Sequence, residues 1–309
     1  MNKTAQTRLL SFSWITLLVL ILAGCASSGL IRNESIPVLE SGRGYSLAAF
    51  EKTLSRTDNG VMLAFSGGGT RAAALSYGVL QQLRDTIIED ESGKRRLLDD
   101  VGVISSVSGG SFTAAYYGLH GDKIFDDYEE IFLKKNVGRS LLSSLLNPLN
   151  WFSSVDRTEH AIQYYETEVF NNATFSDMLR PNAPMVLINA TDLTGGVRFS
   201  FTQEYFDLLC SDLSTFPVSR AVTASSAVPL LFKPVVVENH DGCSDGIPNW
   251  LTIAKSRADE DPELALTVAG MESYFDKVNH KYAHFVDGGI SDNLGLRSIF
   301  DMTLSLIHI

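Results

Sequence analysis

Two side chains far apart in the chain, a serine and an aspartate, each close an apolar run. Ser108 stands in Ser106-Val107-Ser108-Gly109-Gly110, and Asp287 stands in His284-Phe285-Val286-Asp287-Gly288-Gly289. A third segment, Gly67-Gly68-Gly69-Thr70-Arg71, follows the apolar run 61–66. A serine hydroxyl is a weak nucleophile until a base takes its proton. It also needs an unhindered approach, which a tight strand-to-helix turn with small neighbours provides. Only Ser108 fits: Gly110 lies two residues on, whereas Ser106 has Ser108 in that place and Ser111 has Thr113. Two residues before the nucleophile the usual glycine is Ser106, a departure that a small side chain can accommodate.

Attack on an ester places negative charge on the carbonyl oxygen. Three glycines after a strand can turn backbone N–H groups toward that charge beside a helix N-terminus, where the dipole helps. Losing one such donor costs about 10²–10³ in rate. Arg71 adds charge or braces the loop. The run Gly67 to Ala72 also satisfies the relaxed dinucleotide pattern Gly-x-Gly-x-x-Ala, which requires an acid ending the next strand roughly 20 residues on. Glu89 and Asp90 sit near that distance, but in a charged loop, 89–96, ahead of any strand. The oxyanion reading is therefore preferred, and the absence of Gly-Lys-Ser/Thr excludes a Walker loop. A triad in α/β-hydrolase order needs a histidine after the acid. After Asp287 there is only His308, in the terminal segment, and His284 faces the other side of its strand. His120, His160, His240 and His280 fall in loops or helix ends. Asp287, at a strand end before two glycines, is placed to reach Ser108 from a neighbouring strand. The same Asp-Gly-Gly also reads as a plain turn, and catalysis is the favoured reading.

The elements that must position these residues alternate. Strands are expected at 61–66, 101–107, 185–191, 197–202, 235–238 and 283–286, and helices at 71–88, 111–119 and 217–224. The first helix carries an apolar stripe of Ala74, Leu75, Val79, Leu80 and Leu83. Residues 192–196 form a turn, and the apolar stretch 140–151 reads equally as a lid or membrane-docking element and as a core-facing helix. Alternation of this kind implies a largely parallel sheet covered on both faces.

The ends of the chain read as additions. Lys3 and Arg8 precede an apolar stretch 9–22 and then Ala23-Gly24-Cys25, so 1–24 is expected to be a signal peptide. The stretch falls short of the ~20 residues that span a bilayer. Cys25 after Ala-Gly resembles the bacterial lipobox, which implies a lipidated mature N-terminus. With Ala26 next, the expected location is the outer membrane, facing the periplasm or the surface. Residues 25–58 read as a lipidated tether and leading segment, and 59–303 as the hydrolase domain. The last six residues, 304–309, are what CTG TCT CTT ATA CAC ATC of a transposase adapter encodes, and are expected to be non-native, with the true C-terminus lost.

The 309 residues suit one α/β domain with an ample core. The formal charge of −11 becomes more acidic once Lys3 and Arg8 leave with the signal. That balance argues against nucleic acid and against anionic membranes as electrostatic partners. Of three cysteines, Cys210 and Cys243 remain after Cys25 is assigned to the anchor. Their spacing suits no zinc site, and in an oxidising compartment they are expected to form a disulfide, with two buried thiols as the alternative.

Gly67-Gly68-Gly69-Thr70-Arg71, Ser106-Val107-Ser108-Gly109-Gly110, Ala224-Ser225-Ser226-Ala227-Val228-Pro229 and Asp287-Gly288-Gly289 occur in the order found in patatin-like phospholipases. The resemblance covers roughly 59–303 and is specific as a set. It implies a three-layer α/β/α sandwich with a mainly parallel central sheet and a Ser-Asp dyad, with Ser108 as nucleophile and Asp287 as general base. It further implies an oxyanion hole from Gly67, Gly68, Gly69 and Arg71. No metal or organic cofactor is implied. The expected substrates are phospholipids, lysophospholipids or neutral acyl esters, met at a membrane through the N-terminal lipid anchor. Two alternatives stay open: a non-catalytic lipid- or partner-binding lipoprotein on the same fold, and a dinucleotide-binding enzyme.

Overall fold

The apolar runs become the strands of one mixed sheet. The computed structural model describes residues 30–40, 42–54, 60–91, 93–135, 157–243, 248–259 and 261–303. The chain divides into two units, Met1–Leu30 and Ile31–Ile309, and the second carries all the elements below. Cys25, the stretch 140–151 and the tail 304–309 lie outside the described residues.

Strand β1 (Val61–Phe65) leads through the glycine run into helix α1 (Gly69–Asp85), and β2 (Val101–Val107) leads through Ser108 into α2 (Gly109–His120). Next come β3 (Met185–Asp192), β4 (Val197–Ser200), helix α3 (Val218–Ser226), β5 (Val235–Glu238), β6 (Tyr282–Val286) and helix α4 (Leu296–Thr303). β1, β2 and β3 are parallel neighbours. β6 runs antiparallel to β3, and β5 antiparallel to β6, so β5 shares the direction of the first three. β4 is antiparallel to β3. Four of the six strands thus point one way. β3 is buried along its whole length, as a strand covered on both faces must be.

Helices cover opposite faces of this sheet. Gly118 of α2 lies so close to Val186 of β3 that a Cβ there would come within 2.9 Å of the valine side chain. Ser298 of α4 bonds Ser105 of β2 at 2.6 Å. Ile104 pairs with Val186 and Ser105 with Leu187. Successive residues of a strand face opposite sides, so α2 and α4 pack on different faces. The result is the α/β/α sandwich.

Some sequence expectations shift. The stripe on α1 is displaced: Ala72, Ala73, Ser76, Tyr77 and Leu80 are buried, while Leu75 is 69% exposed. Small side chains win the inner face because α2 comes close enough for the Thr113 hydroxyl to reach Ala73 O at 2.9 Å. The charged loop is instead an antiparallel hairpin, Ile87–Asp90 with Gly93–Arg96. Gly93 supplies a positive φ at its turn, and Arg95 is held by Asp90 and Asp100 at 2.6 Å each. Helices at Arg157–Glu168, Asn249–Arg257 and Pro262–Glu272 were not expected. The last had a legible start, Asp261 capping Glu263 and Leu264 N–H with Pro262 in the first turn.

The polar leading segment belongs to the second unit from Ile31 onward. Glu34–Ser35 pairs antiparallel with Ser211–Asp212. Tyr45 is fully buried, its hydroxyl accepting Val186 N–H at 2.7 Å and donating to Val186 O at 3.2 Å. Ile36 packs against Cys210 and Cys243, which are joined by a disulfide with Cα atoms 5.3 Å apart. Cross-links of this kind contribute about 2–4 kcal/mol, mainly by restricting the unfolded chain. Replacing both cysteines by serine is therefore expected to lower the unfolding free energy by about that amount in urea titrations. Thiol titration of the denatured, unreduced protein should find neither Cys210 nor Cys243 free.

Candidate active site

Ser108 and Asp287 meet because two strands end against each other. Every strand has two edges. β4 occupies one edge of β3 from Asn189 to Asp192, and β2 occupies the other as far as Asn189. β6 pairs with Thr191 and Asp192, where β4 already holds its edge, so β6 lies on the edge that β2 uses. The two strands approach head-on, each with its C-terminal end toward the other. Asp287 therefore reaches Ser108 end to end and not from a lateral neighbour. The Ser108 hydroxyl donates to Asp287 Oδ2 at 3.0 Å.

The turn at Ser108 is a strained elbow, with φ 50° and ψ −120°. A side chain costs about 1–3 kcal/mol in so sparse a region, so the surroundings must hold it there. Glycines make the packing feasible. A Cβ on Gly109 would strike the Gly69 carbonyl, and one on Gly110 would come within 2.6 Å of Phe65 O. Ser106 needs no glycine in its place, because its hydroxyl donates to Leu187 O at 3.0 Å within the sheet.

Asp287 is fixed from several sides. Its Oδ1 accepts Gly289 N–H at 2.8 Å, and its own N–H donates to Ala227 O at 3.0 Å. Gly288 N–H donates to Ser225 O at 3.0 Å, so the end of α3 spends its free carbonyls on the aspartate turn. The Thr191 hydroxyl donates to Asp287 O at 2.9 Å. Gly288 is required, since a Cβ there would strike Asn189 O. Burial pushes the Asp287 carboxyl above the ordinary aspartate value, while the Gly289 N–H and the Ser108 hydroxyl pull it back in part.

The glycine run divides. Gly67 N–H is committed to Asn293 O at 2.9 Å and is no longer free to bind an oxyanion. Gly68 and Gly69, with φ 140° and 64°, open α1, where first-turn N–H groups have no partner in the helix. Arg71 is exposed and makes no hydrogen bond or ion pair with a described residue, so it braces nothing in the loop. Asn293 was not singled out from sequence. Its carbonyl anchors Gly67, and its side chain fills the space that a Cβ on Gly67 or Gly289 would need. No motif marks it, because its role is to join two loops distant in sequence.

The dinucleotide reading fails on the strand order. The sheet strand that follows α1 is β2, which ends at Ser108 and not at an acid. Glu89 and Asp90 lie in the separate hairpin, where Asp90 is paired with Arg95. Among the described residues no histidine hydrogen-bonds Ser108 or Asp287.

A family model for patatin-like phospholipases matches residues 63–300, a span that holds the glycine run, the elbow and Asp287. The chain belongs to the patatin-like phospholipase family. No curated protein matches it. Patatin-like membership makes hydrolysis of lipid acyl esters the activity to account for, and the mixed sheet flanked by helices is the patatin-like sandwich.

As the expected base, Asp287 would act only when deprotonated, so the acid limb of kcat/KM is expected above the ~3.9 of an ordinary aspartate. The carboxyl is raised in the fold, so the stability it lends is full below the unfolded value and lost as pH rises through the folded one. Asp287→Asn is accordingly expected to cut turnover steeply while raising the thermal midpoint at pH 7, an advantage that vanishes below about pH 3.9. Activity profiles and melting curves across pH check both halves.

Proposed function

We propose that this patatin-like protein is a serine acyl hydrolase of the phospholipase A or lysophospholipase kind, working through a Ser108–Asp287 dyad. The observation that carries this reading is the 3.0 Å hydrogen bond from a strained elbow serine to a buried carboxylate. Asp287 Oδ2 takes the hydroxyl proton as Ser108 Oγ attacks the ester carbonyl carbon. The oxyanion that forms is met by the N–H groups of Gly68 and Gly69 at the start of α1, with its dipole behind them. Asp287 then passes its proton to the departing alcohol, leaving an acyl-enzyme. Water attacks the acyl carbon, giving its proton to Asp287, and the fatty acid leaves as the serine regains its hydrogen.

A lipid substrate suits the rim. Leu230, Leu231, Ile290 and Leu294 are exposed on the two segments that border Asp287. Exposed apolar side chains grouped at a site mark contact with apolar partners. Among the described residues no helix is long and apolar enough to cross a membrane. The proposed attachment is instead lipidation of Cys25, holding the enzyme at the bacterial outer membrane.

Labelling with a fluorophosphonate tests the dyad. Wild type should label at Ser108, Ser108→Ala should neither label nor hydrolyse esters, and Asp287→Asn should lose at least about 10³ in rate, the scale of lost triad function. A folded wild type that stays unlabelled would instead favour a binding lipoprotein on this scaffold.

A further inference from the structure

We infer that Ser225 is a positioning residue for the proposed dyad: its hydroxyl is the fixed post that holds the main chain of the nucleophile. This rests on the acyl-hydrolase reading above and adds a residue to it.

A hydroxyl has one proton and two lone pairs. Ser225 Oγ is fully buried, and all three of its capacities are taken. It accepts the N–H of Ser108 at 2.8 Å and donates to Asn189 O at 2.6 Å. It also lies 3.0 Å from Ser111 Oγ. Since its only proton goes to Asn189, Ser111 must be the donor in that last bond. The hydroxyl therefore cannot rotate without breaking a buried bond, which would leave a polar group unpaired.

What it holds is the strained link of the elbow. The Ser108 N–H leads directly into the φ of 50°, a conformation that its own side chain disfavours. The same residue grips the other half of the dyad, since Ser225 O accepts Gly288 N–H at 3.0 Å. Asn189 O, the far end of the post, is also the atom against which Gly288 closes. One residue thus ties the nucleophile strand, the middle strand and the aspartate turn to each other. Removing its hydroxyl frees the nucleophile's N–H while leaving Ser108 and Asp287 themselves intact. The Ser108 hydroxyl then loses its register with Asp287 Oδ2, and misplacement of about 1 Å costs about 10²-fold in rate. The expected loss therefore falls on kcat and not on substrate binding.

The test uses the full chain with Ser225→Ala, Ser225→Cys and Ser226→Ala. Among the described residues Ser226 Oγ bonds Val222 O and Thr223 O of its own helix and nothing at the site, so that variant should match wild type. Ser225→Ala should lose about 10- to 100-fold in kcat on a p-nitrophenyl ester, with KM within about threefold. Fluorophosphonate labelling of Ser108 should be slower by a similar factor, yet reach the same final stoichiometry. Ser225→Cys, whose thiol fills the space with weaker bonds, should fall between, and it decides the matter if the alanine variant does not fold. The inference is overturned if a folded Ser225 variant keeps kcat within about twofold of wild type. It is equally overturned if labelling stoichiometry drops while the rate per labelled chain is unchanged, the mark of a purely structural role. A folded wild type that does not label at Ser108 would sink the hydrolase reading itself, a different result from either.

Discussion

The site depends on two strands sharing one edge of a third. β2 leaves the edge of β3 at Asn189, and β6 takes it up at Thr191 from the opposite direction. Strand ends are where side chains leave the ladder and backbone groups become available. Bringing two such ends together puts a hydroxyl and a carboxylate at bonding distance with little chain between them and β3. The carboxylate of Asp287 accepts the Ser108 hydroxyl directly, and among the described residues no histidine bonds either side chain.

That arrangement requires close approaches. Gly109 stands against the Gly69 carbonyl, Gly110 against Phe65 and Gly288 against Asn189, and in each case a Cβ would be excluded. The glycines around the dyad are thus consequences of backbone meeting backbone, since three loops converge where each strand ends. Asn293 closes the same space from the fourth side and takes the Gly67 N–H with it.

The face of the sheet below the elbow is polar and fully paired. The Asn189 amide donates to Ser105 Oγ at 3.0 Å and to Ser106 O at 3.1 Å, and it accepts from Ser200 at 2.6 Å. Arg198, buried on β4, bonds Ser200 and pairs with Asp301 of α4 at 2.5 Å. Buried ion pairs repay their desolvation only when the remaining donors are satisfied, as they are along this chain of groups. Such a network is rigid, since moving one member orphans the next. It gives the elbow a floor that apolar packing alone would leave free to adjust.

By itself the sequence determined which residues could react. Ser108 between an apolar strand and two glycines, Asp287 before two more, and the run at Gly67 are local patterns, and local patterns follow from local sterics. The strands were legible to within a residue or two for the same reason, being continuous apolar runs bounded by turns. The face of α1 was not, because small residues are buried there by the nearness of α2, which periodicity does not encode. Nor was the hairpin at Ile87–Arg96 visible, since ion pairs and not apolar alternation hold it. The tertiary structure alone decided that Gly67 gives its N–H to Asn293 and that Ser225 stands under the nucleophile. Each of these is a contact between segments far apart in the chain. The order of strands on an edge, which local residue types do not specify, sets them all.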